Sequence, residues 1–278
     1  MLSSTVLETA VGLVFCFASL TLIASSLYEA IASLFKLRAG ALLGGIKDLL
    51  NDADLQGLAK DIYAHALVNP IGQGTDSPGQ KPTVRPSYIE PEHFATALVD
   101  AVQKEPGTYA DFKAAIDDLP DPQMRQLLSG MLVRAQGNLD DLRAQLARWF
   151  DAGMERVSGG YKRKSQLFTF LIAFALAGVL NVDSFHLFDA LWTHPALVAE
   201  LGSTSPNTAQ DAVDALSALP VGWATYPPSI PLAVLGWLVT ACSALFGAPF
   251  WFDLLKRLVN LRGTGHKPGE RSGGKTKA

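Results

Sequence analysis

No lysine or arginine occurs before Lys36, and none lies between Asp183 and Pro228. The first absence argues against a secretory leader, which starts with a basic stretch ahead of its apolar run. The N-terminal apolar run reads instead as an uncleaved anchor. The second absence leaves a segment whose formal charges are all acidic: Asp183, Asp189, Glu200, Asp211 and Asp214. No Asp, Glu, Lys or Arg stands anywhere from Ala215 to Phe252. Only 18% of the residues are charged, 49% are hydrophobic and the mean hydropathy is +0.20, too apolar for an ordinary soluble domain. Cysteine is scarce. Cys16 and Cys242 both fall within apolar runs and are expected as small buried hydrophobes, with nothing that demands an oxidising compartment. A net charge of −3 lacks the basic footprint of a nucleic-acid binder.

What is present is three long apolar windows. One lies between Glu8 and Glu29, one runs from Ser165 to Val182, and one from about Ser229 to Phe252. Crossing about 30 Å of hydrocarbon takes roughly 20 helical residues. Backbone groups in lipid must be satisfied internally, and no strand-length alternation supports a closed barrel, so each window is expected to be a helix. The second is short, and its flanking lysines can snorkel to compensate. All 23 Lys and Arg lie in 36–164 or 256–277. The positive-inside rule then places those regions in the cytoplasm and both 183–228 and the N-terminus outside.

The expected fold class is all-α: a three-pass transmembrane helical protein with a cytoplasmic helical domain and a short extracytoplasmic helical segment. Span one falls within 1–35. A helical domain follows at 36–137, then an amphipathic helix at 138–164 that leads into span two at 165–182. The extracytoplasmic segment is 183–228, span three is 229–255, and the basic tail is 256–278. Within the domain, Gly40, Gly44 and Gly45 predict a bend near 39–45, and Asp54 is expected to cap a helix from Leu55 to about Leu67. Residues 69–90, rich in Pro and Gly, read as a long loop. Its Gly74, Gly79 and Lys81 miss the phosphate-loop spacing by one residue and lack the following hydroxyl. Pro91 starts the next helix, with Phe94, Leu98, Val99 and Val102 as its buried face. A short helix spans Tyr109 to Ile116, and Asp121 caps another from Pro122. Leu139, Leu142, Leu146, Trp149, Phe150 and Met154 recur at helical spacing after Gly137. Further on, Ser184–Leu201 is amphipathic and suited to the outer interface. Asn207 is a candidate cap for a helix beginning at Pro206, and Gly247–Pro249 should kink span three.

The candidate special residues are mechanical. Gly159 and Gly160 form a candidate hinge where the amphipathic helix meets the membrane. Ser26 with Ala30, and Ala173 with Ala177, have the spacing that lets helices pack closely, within the chain or between subunits. Lys162, Arg163, Lys164, Trp251, Lys256 and Arg257 are expected as membrane-interface anchors, and Asp253 can pair with Arg257. Asp151 and Glu155, one turn apart, read as a solvated face since no histidine accompanies them.

Two phrases carry a resemblance: Trp149-Phe150-Asp151 with Met154, Arg156 and Tyr161-Lys162-Arg163, and Gly247-Ala248-Pro249-Phe250-Trp251-Phe252-Asp253-Leu254-Leu255. With Pro86-Ser87-Tyr88-Ile89 they resemble a family of uncharacterised bacterial inner-membrane proteins. That family's pattern has Asn where Lys256 stands here. The resemblance implies location and topology, and no catalytic assignment.

An enzyme is disfavoured. The five histidines fall on both sides of the expected membrane without metal-ligand spacing, and no serine sits in a nucleophile elbow. No cofactor is implied. The leading expectation is an anchoring, docking or assembly protein whose cytoplasmic domain recruits a soluble protein partner, with membrane lipid as its other partner. The alternative is a subunit of an oligomeric channel or gated pore, which would need a homo-oligomer because three spans cannot line a pore alone.

Overall fold

The computed structural model describes residues 2–69, 85–104, 108–198, 206, 208–223 and 229–263. Every regular element among them is helical. In order they are α1 (Leu2–Leu34), α2 (Leu37–Leu49), α3 (Leu58–Ala64), α4 (Pro91–Gln103), α5 (Tyr109–Asp117) and α6 (Pro122–Arg134). There follow α7 (Leu139–Val179), α8 (Ser184–Thr193), α9 (Ala209–Ser217), α10 (Ile230–Ser243) and α11 (Ala248–Gly263). Short 3₁₀ turns occupy Pro195–Val198 and Ala244–Phe246. The expected loop at 70–84, the Asn207 cap, the turn at Pro227-Pro228 and the tail beyond 263 lie outside the described residues. Two compact units result, one of Ala32–Lys164 and one of Met1–Ile31 with Ser165–Ala278.

In the unit of residues 32–164, the apolar stripes find one another as their spacing predicts. Phe94, Leu98, Val99 and Val102 of α4 are buried with Phe112 and Ile116 of α5, Leu128 of α6, and Leu142, Leu146 and Phe150 of α7. The helix starts are chemically specified. Asp121 accepts the Met124 N–H at 2.6 Å ahead of Pro122, and Thr108 and Asp111 form a reciprocal capping box on α5. The first turn before α3 departs from expectation. Asp52, not Asp54, accepts the N–H groups of Gln56, Gly57 and Ala59, and α3 is correspondingly shorter than the predicted 55–67.

The predicted bend at 39–45 is also displaced. The chain breaks at Phe35–Lys36, where Lys36 adopts φ 51°, and the three glycines lie inside α2. Gly45 is there for proximity. A β-carbon on it would stand 2.5 Å from Val157 Cγ2 of α7, and one on Gly153 of α7 would stand 2.9 Å from Leu49 Cδ1 of α2. Glycine on each helix lets the two backbones approach, which offsets its poor helix propensity.

In the other unit, α1 packs its Val14, Ala18, Leu20 and Ala24 face inward, against a core that includes Ala173, Ala177, Leu187, Leu191 and Ala241. Helix α1 is long and apolar enough to cross a membrane over Thr5–Leu34. Two bent pairs meet the same test if each is taken as one span: Leu139–Val179 with Ser184–Thr193, at 56°, and Ile230–Phe246 with Ala248–Asn260, at 96°. The second corner is far sharper than the expected kink. Gly247 adopts φ 82° there, a conformation that costs glycine nothing and other residues much. Cys16 is buried as expected, but Cys242 is exposed, because α10 turns Ala233, Gly236, Thr240 and Ala241 inward instead.

Candidate functional site

Helix α2, the segment from Ser87 to Pro91 and the middle of α7 enclose a cleft of about 570 Å³. Its floor is apolar. Phe150 is 1% exposed and stacks on Phe94 with ring centroids 4.0 Å apart, while Ile89, Leu42, Met154 and Val157 complete the lining. Its rim is not. Tyr88 is 73% exposed, and Arg38, Ser87, Asp151, Glu155, Ser158 and Tyr161 surround it.

Local sequence explains this arrangement. Pro91 keeps Glu90 extended ahead of α4, and after the bend at Ser87 the neighbouring Tyr88 and Ile89 face opposite ways, Ile89 into the core and Tyr88 out. On α7, Phe150 and Met154 are four apart and share the inner side, as do Asp151 and Glu155 on the flank. Both carboxylates are exposed and neither makes a hydrogen bond or ion pair with a described residue. An apolar floor flanked by two open carboxylates and an aromatic ring can take an apolar side chain and pair with a cation beside it. Among the described residues, no histidine or cysteine lines the cleft beside Ser87 or Ser158.

A second, smaller hollow of about 510 Å³ lies between α4 and α7, lined by Glu92, Thr96, Asp140, Arg143, Ala144, Ala147 and Arg148. Arg143 Nη1 lies 3.4 Å from Asp140 there. Its charges of both signs stand side by side, which suits a solvated surface better than a binding floor. Among the described residues, no group of three or more His, Cys, Asp or Glu is placed to hold a metal ion.

The residues singled out from sequence fall in several places. Gly159 and Gly160 sit inside α7, which is unbroken from Leu139 to Val179, and neither has a neighbour within 4 Å of a built β-carbon. Ala173 and Ala177 are fully buried and serve as a packing face, whereas Ser26 and Ala30 are exposed. Lys162, Arg163, Lys164, Lys256 and Arg257 are exposed. Trp251 is buried at 9%, with its Nε1 donating to the Ser243 carbonyl at 2.7 Å, so its indole polar edge is already committed within the chain. Phe250 beside it is the exposed ring, at 46%. Asp253 and Arg257 form no ion pair.

One polar cluster escaped sequence reading. Asn181 ends α7 with φ 48°, donates through Nδ2 to the Gly222 carbonyl at 3.0 Å and accepts from Trp237 Nε1 at 3.2 Å. Asp183, 2% exposed, caps α8 by accepting the Phe185 N–H at 2.9 Å. Thr240 Oγ1 lies 2.6 Å from Ser184 Oγ and donates to the Val182 or Gly236 carbonyl at 2.9 Å. These bonds tie the end of α7 to α10. The cluster thus serves the fold by joining these helices.

The cleft, by contrast, gathers two of the phrases that carry the sequence resemblance, Ser87-Tyr88-Ile89 and Phe150-Asp151 with Met154 and Tyr161. No family model, curated protein or solved structure matches this chain.

Proposed function

We propose that this is a three-pass inner-membrane protein of bacterial type that docks a soluble protein partner through the cleft of its 32–164 unit. The N-terminus and residues 183–228 are outside in this reading, and the 32–164 unit and the C-terminus are cytoplasmic. Support for the topology is the apolar α1, the two bent apolar pairs, and the confinement of every Lys and Arg to 36–164 and 256–277. The observation that carries the docking role is the cleft itself. Its aromatic rim residue is exposed, its floor is apolar with Phe150 stacked on Phe94, and its two carboxylates lack partners among the described residues. The matching partner segment presents an apolar anchor with a Lys or Arg beside it.

The test is a photo-cross-linking amino acid placed at Tyr88 in full-length protein in living cells, with Val133, 76% exposed on α6, as the control position. A discrete adduct at Tyr88, absent at Val133 and reduced by Asp151→Arg, is the expected result. Identical patterns at both positions would remove the docking role.

A second reading, an oligomeric pore subunit, draws on one observation. Ser26 and Ala30 turn outward from their unit, which favours a helix of a second copy over packing within the monomer. A monomeric mass in detergent would eliminate it.

A further inference from the structure

We infer that α11 lies flat in the cytoplasmic membrane–water interface, seated among phospholipid headgroups, and does not complete a straight third crossing. The inference rests on the three-pass reading above and concerns one element of it.

Length comes first. The 14 residues of α10 and the three of the following 3₁₀ turn rise about 27 Å together. That nearly equals the hydrocarbon thickness of roughly 30 Å, so the crossing is complete when the chain reaches Gly247. Direction comes second. The chain then turns through 96°, so a helix that leaves an upright α10 must run along the membrane plane. The corner is pinned. Trp251 donates its indole N–H to Ser243 across it and packs on Phe17 of α1, with ring centroids 5.1 Å apart.

Sidedness comes third. Trp251 and Leu255 face the core, while Asp253, Lys256 and Arg257 are exposed on the opposite side. Lys256 and Arg257 have no acidic partner among the described residues, which leaves both free for phosphate oxygens. At the corner, Phe246 and Phe250 are 64% and 46% exposed and stack on each other at 5.1 Å. An exposed aromatic pair next to a helix with a cationic outer side is the pattern of an interfacial helix, whose rings enter the acyl boundary while its charges stay among headgroups. A soluble partner would leave that aromatic pair without a reason to sit at the end of an apolar helix.

A flat helix and a straight one differ in depth profile. Single cysteines at Leu238, Phe250, Asp253, Lys256 and Arg257, introduced one at a time on a Cys242→Ser background, would be spin-labelled in full-length protein. Cys16 is fully buried and stays out of reach of the label. The protein would be reconstituted into phosphatidylcholine–phosphatidylglycerol vesicles, and depth read from relative accessibility to oxygen and a water-soluble nickel chelate. The four α11 positions replace exposed side chains, so the fold is not at stake in them. The expected result is Leu238 deep in the hydrocarbon and the α11 labels within one headgroup layer of each other, alternating with the helical period. A steady climb into water from Phe250 to Arg257, at about 1.5 Å per residue, would overturn the flat placement and leave the three-pass reading standing. Leu238 in water would overturn both.

Discussion

Gly236 of α10 lies against the carboxylate of Asp183. A β-carbon at Gly236 would overlap Oδ1 of that side chain. Asp183 is buried and cannot yield, because its oxygen caps α8 through the Phe185 N–H. Gly236→Ala should therefore displace the cap, separate α8 from α10, or both. Overpacking costs about 1–3 kcal/mol and a lost cap about 1 kcal/mol. Thermal unfolding of the detergent-solubilised protein should fall accordingly. Asp183→Ala in the same background should recover part of the loss by making room. A Gly236→Ala protein as stable as the parent would show that the two helices are not held this closely.

Gly45 makes the analogous contact in the 32–164 unit. Val157 is β-branched and stiff at χ1, so it cannot swing clear of an added methyl. Gly45→Ala should cost about 1–3 kcal/mol despite alanine's better helix propensity. Pairing it with Val157→Ala should restore most of the stability. That sign of coupling, measured in a double-mutant cycle by denaturant unfolding, separates a steric contact from a general helix effect.

These two glycines mark the limit of what the sequence discloses. The Phe94–Leu98–Val102 stripe and the Asp121-Pro122 helix start were legible because their signals are local: a period, a cap, a proline. Gly45 read as a bend because the reason for it, Val157, lies on another helix. Trp237 and Asn181 bond across 56 intervening positions, and no local pattern announces such a pair. The cleft was visible only in fragments. Tyr88-Ile89 and Phe150-Asp151 each stood out, but their meeting depends on how α4 stacks on α7. The right angle at Gly247 was foreseen as a kink, since Gly-Ala-Pro marks a break without giving its size.

Tyr63 offers a stabilising substitution. It is 2% exposed and its hydroxyl has no hydrogen-bond partner among the described residues. A buried unsatisfied polar group costs about 1–3 kcal/mol, so Tyr63→Phe should raise stability by roughly 1 kcal/mol. Burial also pushes the phenol above its ordinary range, with Arg85 opposing. A raised pKa here means the folded state resists ionisation. The contribution is whole below about pH 10, the unfolded value, and is lost as pH rises toward the folded one. The alkaline fall in stability above about pH 10 should be shallower in Tyr63→Phe. A parallel pair of pH profiles would contradict this.

Asp111 governs the acid side. The Thr108 N–H and hydroxyl both donate to its carboxylate at 2.7 Å and hold it below the usual range, chiefly through the backbone bond. A depressed pKa contributes stability that is present above about pH 4 and lost as pH falls through the folded value. Asp111→Asn should lower stability at neutrality, where the carboxylate contributes, and flatten the profile below about pH 4, where the two proteins should converge. Following the denaturant midpoint of both proteins against pH checks it, and an unchanged acid limb would show that the box carries no titrating load.

Gly159 and Gly160 allow the candidate hinge to be judged against simple helix propensity. Helix α7 passes through both without a break, and added methyl groups would meet nothing within 4 Å. Replacing both with alanine should then stabilise the helix by about 2 kcal/mol in all, since each glycine costs close to 1 kcal/mol relative to alanine. The rise in unfolding midpoint tests only propensity. Flexibility is tested by repeating the Tyr88 cross-linking in the double-alanine protein. If partner engagement requires α7 to bend there, the adduct should weaken even as the protein becomes more stable. Opposite movement of those two quantities would identify a hinge, because no gain in rigidity alone removes a surface contact made by a residue on a different segment. An adduct of undiminished yield in the stabilised protein would assign the glycines to the helix and to nothing else.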